Sequence, residues 1–169
     1  MQIEWVLALS LVLALAVFAY VKLAQHRRVR QEQAHLQWLD GRVRELTEGE
    51  SSFTPEEFFE MRERSFGDPD TPLYEAGQDF KGVYVLFNED KNKYYVGQGI
   101  RVLSRVNNHF TGRGNGDVYA DYRYLDHFTI RIIPLAGSGF DNLNQLERYT
   151  IEYYDAFASG YNKTRGNQD

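Results

Sequence analysis

Arg101, Arg105 and His109 recur at intervals of four, so on a helix they form one cationic row beside apolar positions 102, 103, 106 and 110. Such a row can face phosphate, or it can line a solvated flank. Glu147 is four residues from both Leu143 and Ile151, which puts a carboxylate on or near a stripe that should be buried. A carboxylate there needs a partner; a salt bridge to Arg105 or a hard cation would each offset its desolvation. Tyr84 and Tyr95, two of 12 tyrosines, read by default as strand residues with their hydroxyls at the edge. Guanidinium groups and a carboxylate-held cation are the groups that stabilise charge gathering on a phosphate.

The elements that would position these groups begin after Gly77. Val83 to Phe87 and Tyr94 to Val96 are separated by Asn88, Glu89, Asp90, Lys91 and Asn92, which predicts an antiparallel hairpin with a polar connection. Ile100 to Phe110 carries a helical apolar face, and His127 to Ile133, stopped by Pro134, fits a third strand. Leu143, Leu146, Ile151 and Tyr154 predict an amphipathic helix running toward Phe157, before the turn-forming Ser159-Gly160. The order β, β, α, β, α implies an α/β (α+β) fold: a small three-stranded, largely antiparallel sheet flanked by helices.

Gly82-Val83-Tyr84, ten intervening residues, then Tyr95-Val96-Gly97 resembles the paired tripeptide signature of the GIY-YIG nuclease family. The resemblance continues in order through Arg105, His109 at a position where the family carries Tyr or His, Glu147, and Asn162 within Gly160-Tyr161-Asn162. It covers roughly residues 80 to 165. It implies a catalytic set of Tyr84, Tyr95, Arg105, His109, Glu147 and Asn162, with substrate contacts from Arg101, Arg105 and Gly97. It also implies Glu147 as the ligand of a divalent ion, Mg2+ or Mn2+, that keeps several waters. Arg105 would neutralise phosphate oxygens through its donor fork, and a tyrosine, either Tyr84 or Tyr95, would activate water. An unperturbed phenol titrates near pH ~10, and Arg105 with the cation is expected to lower that value. His109 would relay the proton or orient a tyrosine, and Asn162 would fix the site by hydrogen bonding. Gln98 stands where the excision-repair nucleases of the family carry a lysine, and Val83 and Val96 replace the isoleucines of the family name.

The remainder of the chain reads differently. Of 169 residues, the first 21 hold 18 apolar ones, and Trp5 to Val21 is interrupted only by Ser10. At ~1.5 Å per residue this run approaches a bilayer's hydrocarbon thickness. Lys22, His26, Arg27, Arg28 and Arg30 follow directly, which predicts an uncleaved single-pass anchor with the N-terminus outside and the remainder cytoplasmic. The expected organisation is an anchor over 1–24, a helical stalk over 25–52, an acidic helical lead-in over 53–79 and the catalytic domain over 80–169. Val29, Leu36, Leu39, Val43 and Leu46 fall on heptad positions, so the stalk is either a solvated rod or a short helix that forms a homodimer. Thr54-Pro55-Glu56-Glu57 marks a helix start.

The absence of cysteine excludes a disulfide scaffold and thiolate metal sites. Net charge is −5 overall, but residues 51–90 hold 3 basic and 10 acidic residues whereas 91–165 hold 10 and 7. The mildly basic part suffices for local phosphate contacts and is too weak for tight non-specific DNA binding. The acidic stretch is a solvated surface or a screen that restrains cleavage. The sequence therefore predicts a membrane-tethered, metal-dependent endonuclease acting on DNA rather than RNA, directed at incoming phage or conjugative DNA. Its competitors are a membrane-anchored module that binds nucleic acid or a protein partner without cutting, and a structural membrane protein whose soluble part only oligomerises.

Overall fold

The computed structural model describes residues 2–49, 51–63 and 78–167, apart from the side chains of 2–12, 14 and 63. The chain divides into two units, Met1–Trp38 and Leu39–Asp169. Alternation along β1 (Gly82–Asn88) organises the second: Val83 and Val85 enter one core, Tyr84 and Leu86 the other. β1 pairs antiparallel with both β2 (Lys93–Gly99) and β3 (Phe128–Pro134), giving the order β2-β1-β3. The connection between β1 and β2 is closed by Asn92, whose φ of 50° lies in the left-handed region that asparagine tolerates. Asn88 Oδ1 accepts from the Lys91 backbone N–H (3.0 Å) across the same turn.

Three helices cover the Tyr84 face: α2 (Pro55–Glu63), α3 (Val102–Phe110) and α4 (Gly116–Arg123). Phe58, Leu86, Val106, Phe110, Val118, Phe128 and Ile130 fill this layer. α2 starts with a reciprocal cap: Thr54 Oγ1 accepts from Glu57 N–H (3.2 Å) while Glu57 Oε2 accepts from Thr54 N–H (2.8 Å). Just before it, Phe53 exchanges two backbone hydrogen bonds with Ile130 of β3 (2.9 and 2.7 Å).

The opposite face is covered by α5 (Leu143–Tyr153) and by the last turns of α1 (Gln2–Gly49). Leu39 and Val43 are buried with Val83, Val85, Val96 and Leu146, and Leu46 packs beside them. Full burial of each such aliphatic side chain contributes about 1.5–3 kcal/mol. Arg42 adds hydrogen bonds from Nε to Ser138 O (2.9 Å) and from Nη2 to Gly137 O (3.0 Å). The heptad pattern expected of a stalk is therefore divided: Leu39, Val43 and Leu46 belong to the core of the second unit, while Val29 and Leu36 are exposed.

In the first unit, α1 presents Leu13, Leu15, Val17, Phe18, Tyr20 and Leu23 exposed. Among the described residues no helix is long and apolar enough to cross a membrane. Most of the apolar run from Trp5 to Val21 lies among side chains outside the described set, as do residues 64–77 of the acidic lead-in.

Two features differ from the sequence expectation. The sheet is wholly antiparallel, and α4 stands between α3 and β3, so the order is β, β, α, α, β, α. α4 has a single buried residue, Val118, and so displays no apolar periodicity. Its local mark is Asn115, whose side chain caps the helix by accepting from Asp117 N–H (2.9 Å) and Val118 N–H (3.2 Å).

Candidate active site

Tyr84 lies buried under β2, and its cross-strand partner Gly97 explains how it fits. A Cβ at 97 would fall on the Tyr84 hydroxyl, so only glycine leaves room for the phenol. That hydroxyl is 2.8 Å from Nε2 of His109 on α3. His109 Nδ1 in turn accepts the backbone N–H of Asn115 (2.9 Å), which assigns the ring proton to Nε2. The Nε2–H therefore donates to Tyr84, whose hydroxyl proton is left free to turn toward Tyr95, the neighbouring ring at 6.2 Å between centroids. A directed chain results, from Asn115 through His109 to Tyr84, with Tyr95 beside it. The rings stand close enough to hold it, with centroids 5.4 Å apart for Tyr84 and His109 and 4.7 Å for Tyr95 and His109. Gly114 is part of the same device, because a Cβ there would come within 2.7 Å of His109 Nδ1.

His109 is thus not a member of a cationic row. It is only 1% exposed, and burial, with Arg105 nearby, lowers its pKa to about 4. The spacing misleads because each step of four residues rotates by ~40°, so eight residues rotate by ~80° and bring position 109 over Val102 on the buried side. Arg101 and Arg105 do remain exposed. Arg101 leans toward Asp79, with Nε 3.6 Å from Oδ2. Asp79 also accepts from Leu103 N–H (2.8 Å), Ser104 N–H (3.1 Å) and Ser104 Oγ–H (2.6 Å), capping α3 from a distant part of the chain. No spacing rule reveals that contact. Arg105 has no ion pair among the described residues, yet its charge acts on Tyr84, Tyr95, His109 and Glu147.

Both tyrosines titrate above the ordinary phenol value, although the Arg105 charge lowers each, as expected of a nearby guanidinium. Burial is the largest cause in each, and an exposed guanidinium does not outweigh it. The two are still unequal. Their mutual interaction makes the Tyr84 proton harder to remove and the Tyr95 proton easier to remove.

Glu147 projects from α5 and is 8% exposed. Its Oε2 accepts from Gln98 Nε2 (3.1 Å) and from the Asn167 backbone N–H (3.4 Å). Gln98 Nε2 also donates to Asn144 Oδ1 (2.7 Å), so the residue in place of the family's lysine ties β2 to α5. Burial pushes the Glu147 carboxyl above the usual carboxylate range, and its hydrogen bonds and Arg105 only partly oppose this. No ion pair includes Glu147 among the described residues, so the salt bridge to Arg105 does not form.

A buried carboxylate held by neutral donors and lacking a direct counter-charge fits a hard cation as its missing partner. Among the described residues there is no cluster of three or more His, Cys, Asp or Glu side chains, so one carboxylate would be the protein's share of the coordination shell.

Asn162 bonds both ways with Val96 of β2: its Oδ1 accepts from the backbone N–H (2.8 Å) and its Nδ2 donates to the carbonyl (2.7 Å). Beside it, Tyr161 N–H donates to Tyr94 O (2.8 Å). Asn162 therefore hydrogen-bonds to the strand that carries Tyr95. Residues 80–162 match the family model described as the GIY-YIG catalytic domain. They form a GIY-YIG catalytic domain. Neither the curated proteins nor the solved structures provide a match to the chain.

Within this GIY-YIG domain the two tripeptides meet across the hairpin, with Tyr84 opposite Gly97 and Gly82 opposite Gly99. Gly82 is needed because a Cβ would approach Ile133 O to 2.7 Å. The domain brings Tyr84, Tyr95 and His109 into contact, sets Arg105 within electrostatic reach of all three, and presents Glu147 from the other helical layer. The residues that sequence reasoning passed over are Asn115, Gly114 and Asp79, and the bridging role of Gln98. Asn115-Gly116-Asp117 could have been recognised as a helix start, but its bond to His109 could not.

Proposed function

We propose that this chain is a divalent-metal-dependent endonuclease that hydrolyses DNA phosphodiester bonds. The observation that supports it best is the pairing of a directed hydrogen-bond chain that ends on Tyr84 beside Tyr95 with a buried carboxylate that lacks a counter-charge among the described residues. In this reading Tyr95 is the group that takes the proton from the attacking water. The interaction with Tyr84 lowers the Tyr95 phenol and raises the Tyr84 one, which favours phenolate on Tyr95 over Tyr84. His109 stays neutral through the working pH range and acts as a fixed donor that orients Tyr84. Arg105, exposed and without an ion pair among the described residues, is available to hold the equatorial phosphate oxygens. Glu147 would hold Mg2+ or Mn2+, which when bound supplies Lewis-acid stabilisation of the phosphate and the leaving oxygen. Arg101 contributes a further contact along the strand.

Purified full-length chain with Mg2+ or Mn2+ should nick plasmid DNA. A folded protein inert on every DNA and RNA substrate offered would leave the non-catalytic binding module as the reading. Because Tyr95 must be deprotonated to act, the rate should rise with pH through the neutral range, approaching tenfold per unit.

Tethering belongs to the same proposal. The apolar residues exposed along α1 and the basic cluster from Lys22 to Arg30 support a helix that sits in a bilayer and holds the nuclease where DNA crosses or touches the membrane. Recovery of the full chain in the membrane pellet after an alkaline carbonate wash is the expected result; recovery in the supernatant would remove the tether.

A further inference from the structure

At the C-terminal half of α5 lies a cavity of about 350 Å³ that none of the catalytic residues lines. Arg148, Ile151 and Glu152 come from α5, Asp155 and Phe157 from the segment beyond it, and Arg165 from the C-terminal stretch. Arg165 stacks over the Phe157 ring at 5.2 Å from its centroid, and that ring is 39% exposed. Neither arginine has an ion-pair partner among the described residues. Gly166, next to Arg165 in the chain, lies toward Glu147: its Cβ position is 3.4 Å from the Arg148 backbone and 3.5 Å from Glu147 Oε2. Its φ of +96° is a conformation that suits glycine. The next residue, Asn167, gives its backbone N–H to that same oxygen.

We propose that this cavity holds the nucleotide adjoining the one that is cut, a subsite that has meaning only if the domain cuts nucleic acid as proposed above. Two guanidinium groups without an ion pair among the described residues suit phosphate, and a guanidinium lying on an exposed aromatic ring is a platform on which a base can stack. The carboxylates of Glu152 and Asp155 in the same wall make the cavity a poor site for a bare anion. They are acceptors suited to the amino groups of a base, so the fitting ligand carries both a base and a phosphate. Position supports the assignment as well, because Arg165 directly precedes Gly166, whose Cβ position is 3.5 Å from Glu147 Oε2.

The test uses the full-length chain in EDTA, so that binding is read without cutting, and a short fluorescent single-stranded oligodeoxynucleotide. Phe157→Ala and Arg165→Ala should each weaken binding by about tenfold, while Phe157→Trp keeps it. On a fully abasic oligonucleotide of the same length, Phe157→Ala should bind like the parent and Arg165→Ala should still lose affinity. Deoxycytidine monophosphate should displace the probe at concentrations where inorganic phosphate does not. Equal binding by parent and Phe157→Ala, or equal displacement by phosphate, overturns the subsite. Plasmid nicking with Mg2+ separates the two readings: unchanged KM in both alanine variants of an active nuclease removes the subsite alone, whereas a parent chain that neither binds nor nicks removes the nuclease reading with it.

Discussion

The two helical layers that cover the sheet treat buried polar groups in opposite ways. On the α3 side, Asn115, His109 and Tyr84 form a chain in which both ring nitrogens of the histidine have partners, and burial holds that ring neutral. On the α5 side, Glu147 is buried against neutral donors and burial works against its charge. One network is complete and the other lacks a member. A complete network positions, because moving any group breaks a bond; an incomplete one keeps binding capacity in reserve. The contrast assigns orientation to the first layer and cation binding to the second, with Arg105 in solvent between them.

That contrast can be broken most sharply at Glu147. Glu147→Gln should lower nicking by about a thousandfold or more, yet raise unfolding stability by roughly 1 kcal/mol, since it removes a desolvated charge. A loss of both activity and stability would mean that the carboxylate is a structural member like those of the other layer. Arg105→Ala comes next, with a kcat loss of about 10²–10³ and a melting temperature nearly unchanged, as expected of an exposed side chain without an ion pair.

The complete network should respond in stability as well as in rate. Tyr84→Phe leaves the His109 Nε2–H without an acceptor, so chemical denaturation should show a loss of about 1–3 kcal/mol, whereas Tyr95→Phe should reduce activity more and stability less. Protonating His109 attacks the same chain through pH. Its pKa is about 4 in the folded protein against an ordinary 6.5, so the unfolded chain takes the proton first. Its contribution is fully present above 6.5, falls progressively as pH drops toward 4 and is constant below, a change of roughly 3 kcal/mol. Stability measured against pH in the parent and in His109→Gln should differ in that window, and identical profiles would show that the ring is not held neutral by the fold. The smallest effect is at Asn162→Ala, where loss of the two bonds to Val96 should lower stability by about 1–2 kcal/mol and affect rate only through β2.

How much of this is legible in sequence depends on whether a contact is periodic. The hairpin is, because Val83 and Val85 alternate with Tyr84 and Leu86 and the connection is polar. So is the burial of Glu147, which follows from its distance to Leu143 and Ile151 along one helix. The same kind of reasoning misplaced His109, since a row spaced by four drifts around a helix until it meets the apolar side. It missed α4, which buries too little to show a period, and it assigned Leu39, Val43 and Leu46 to a stalk because a heptad looks the same whether a second helix or a sheet covers it. Asp79 on α3, Asn115 on His109 and Gln98 on Glu147 are long-range or loop-return contacts that only folding brings together.

The backbone pairs at the two flanks of the sheet have a further consequence. β2 and β3 are its outer strands, and each meets a short piece of chain on its free side: Tyr161 and Asn162 bond to Tyr94 and Val96, and Phe53 bonds to Ile130. A three-stranded sheet would otherwise offer two templates on which another extended chain could add. Both are blunted by segments too brief to be strands themselves, so copies of the protein crowded together have little opportunity to join edge to edge.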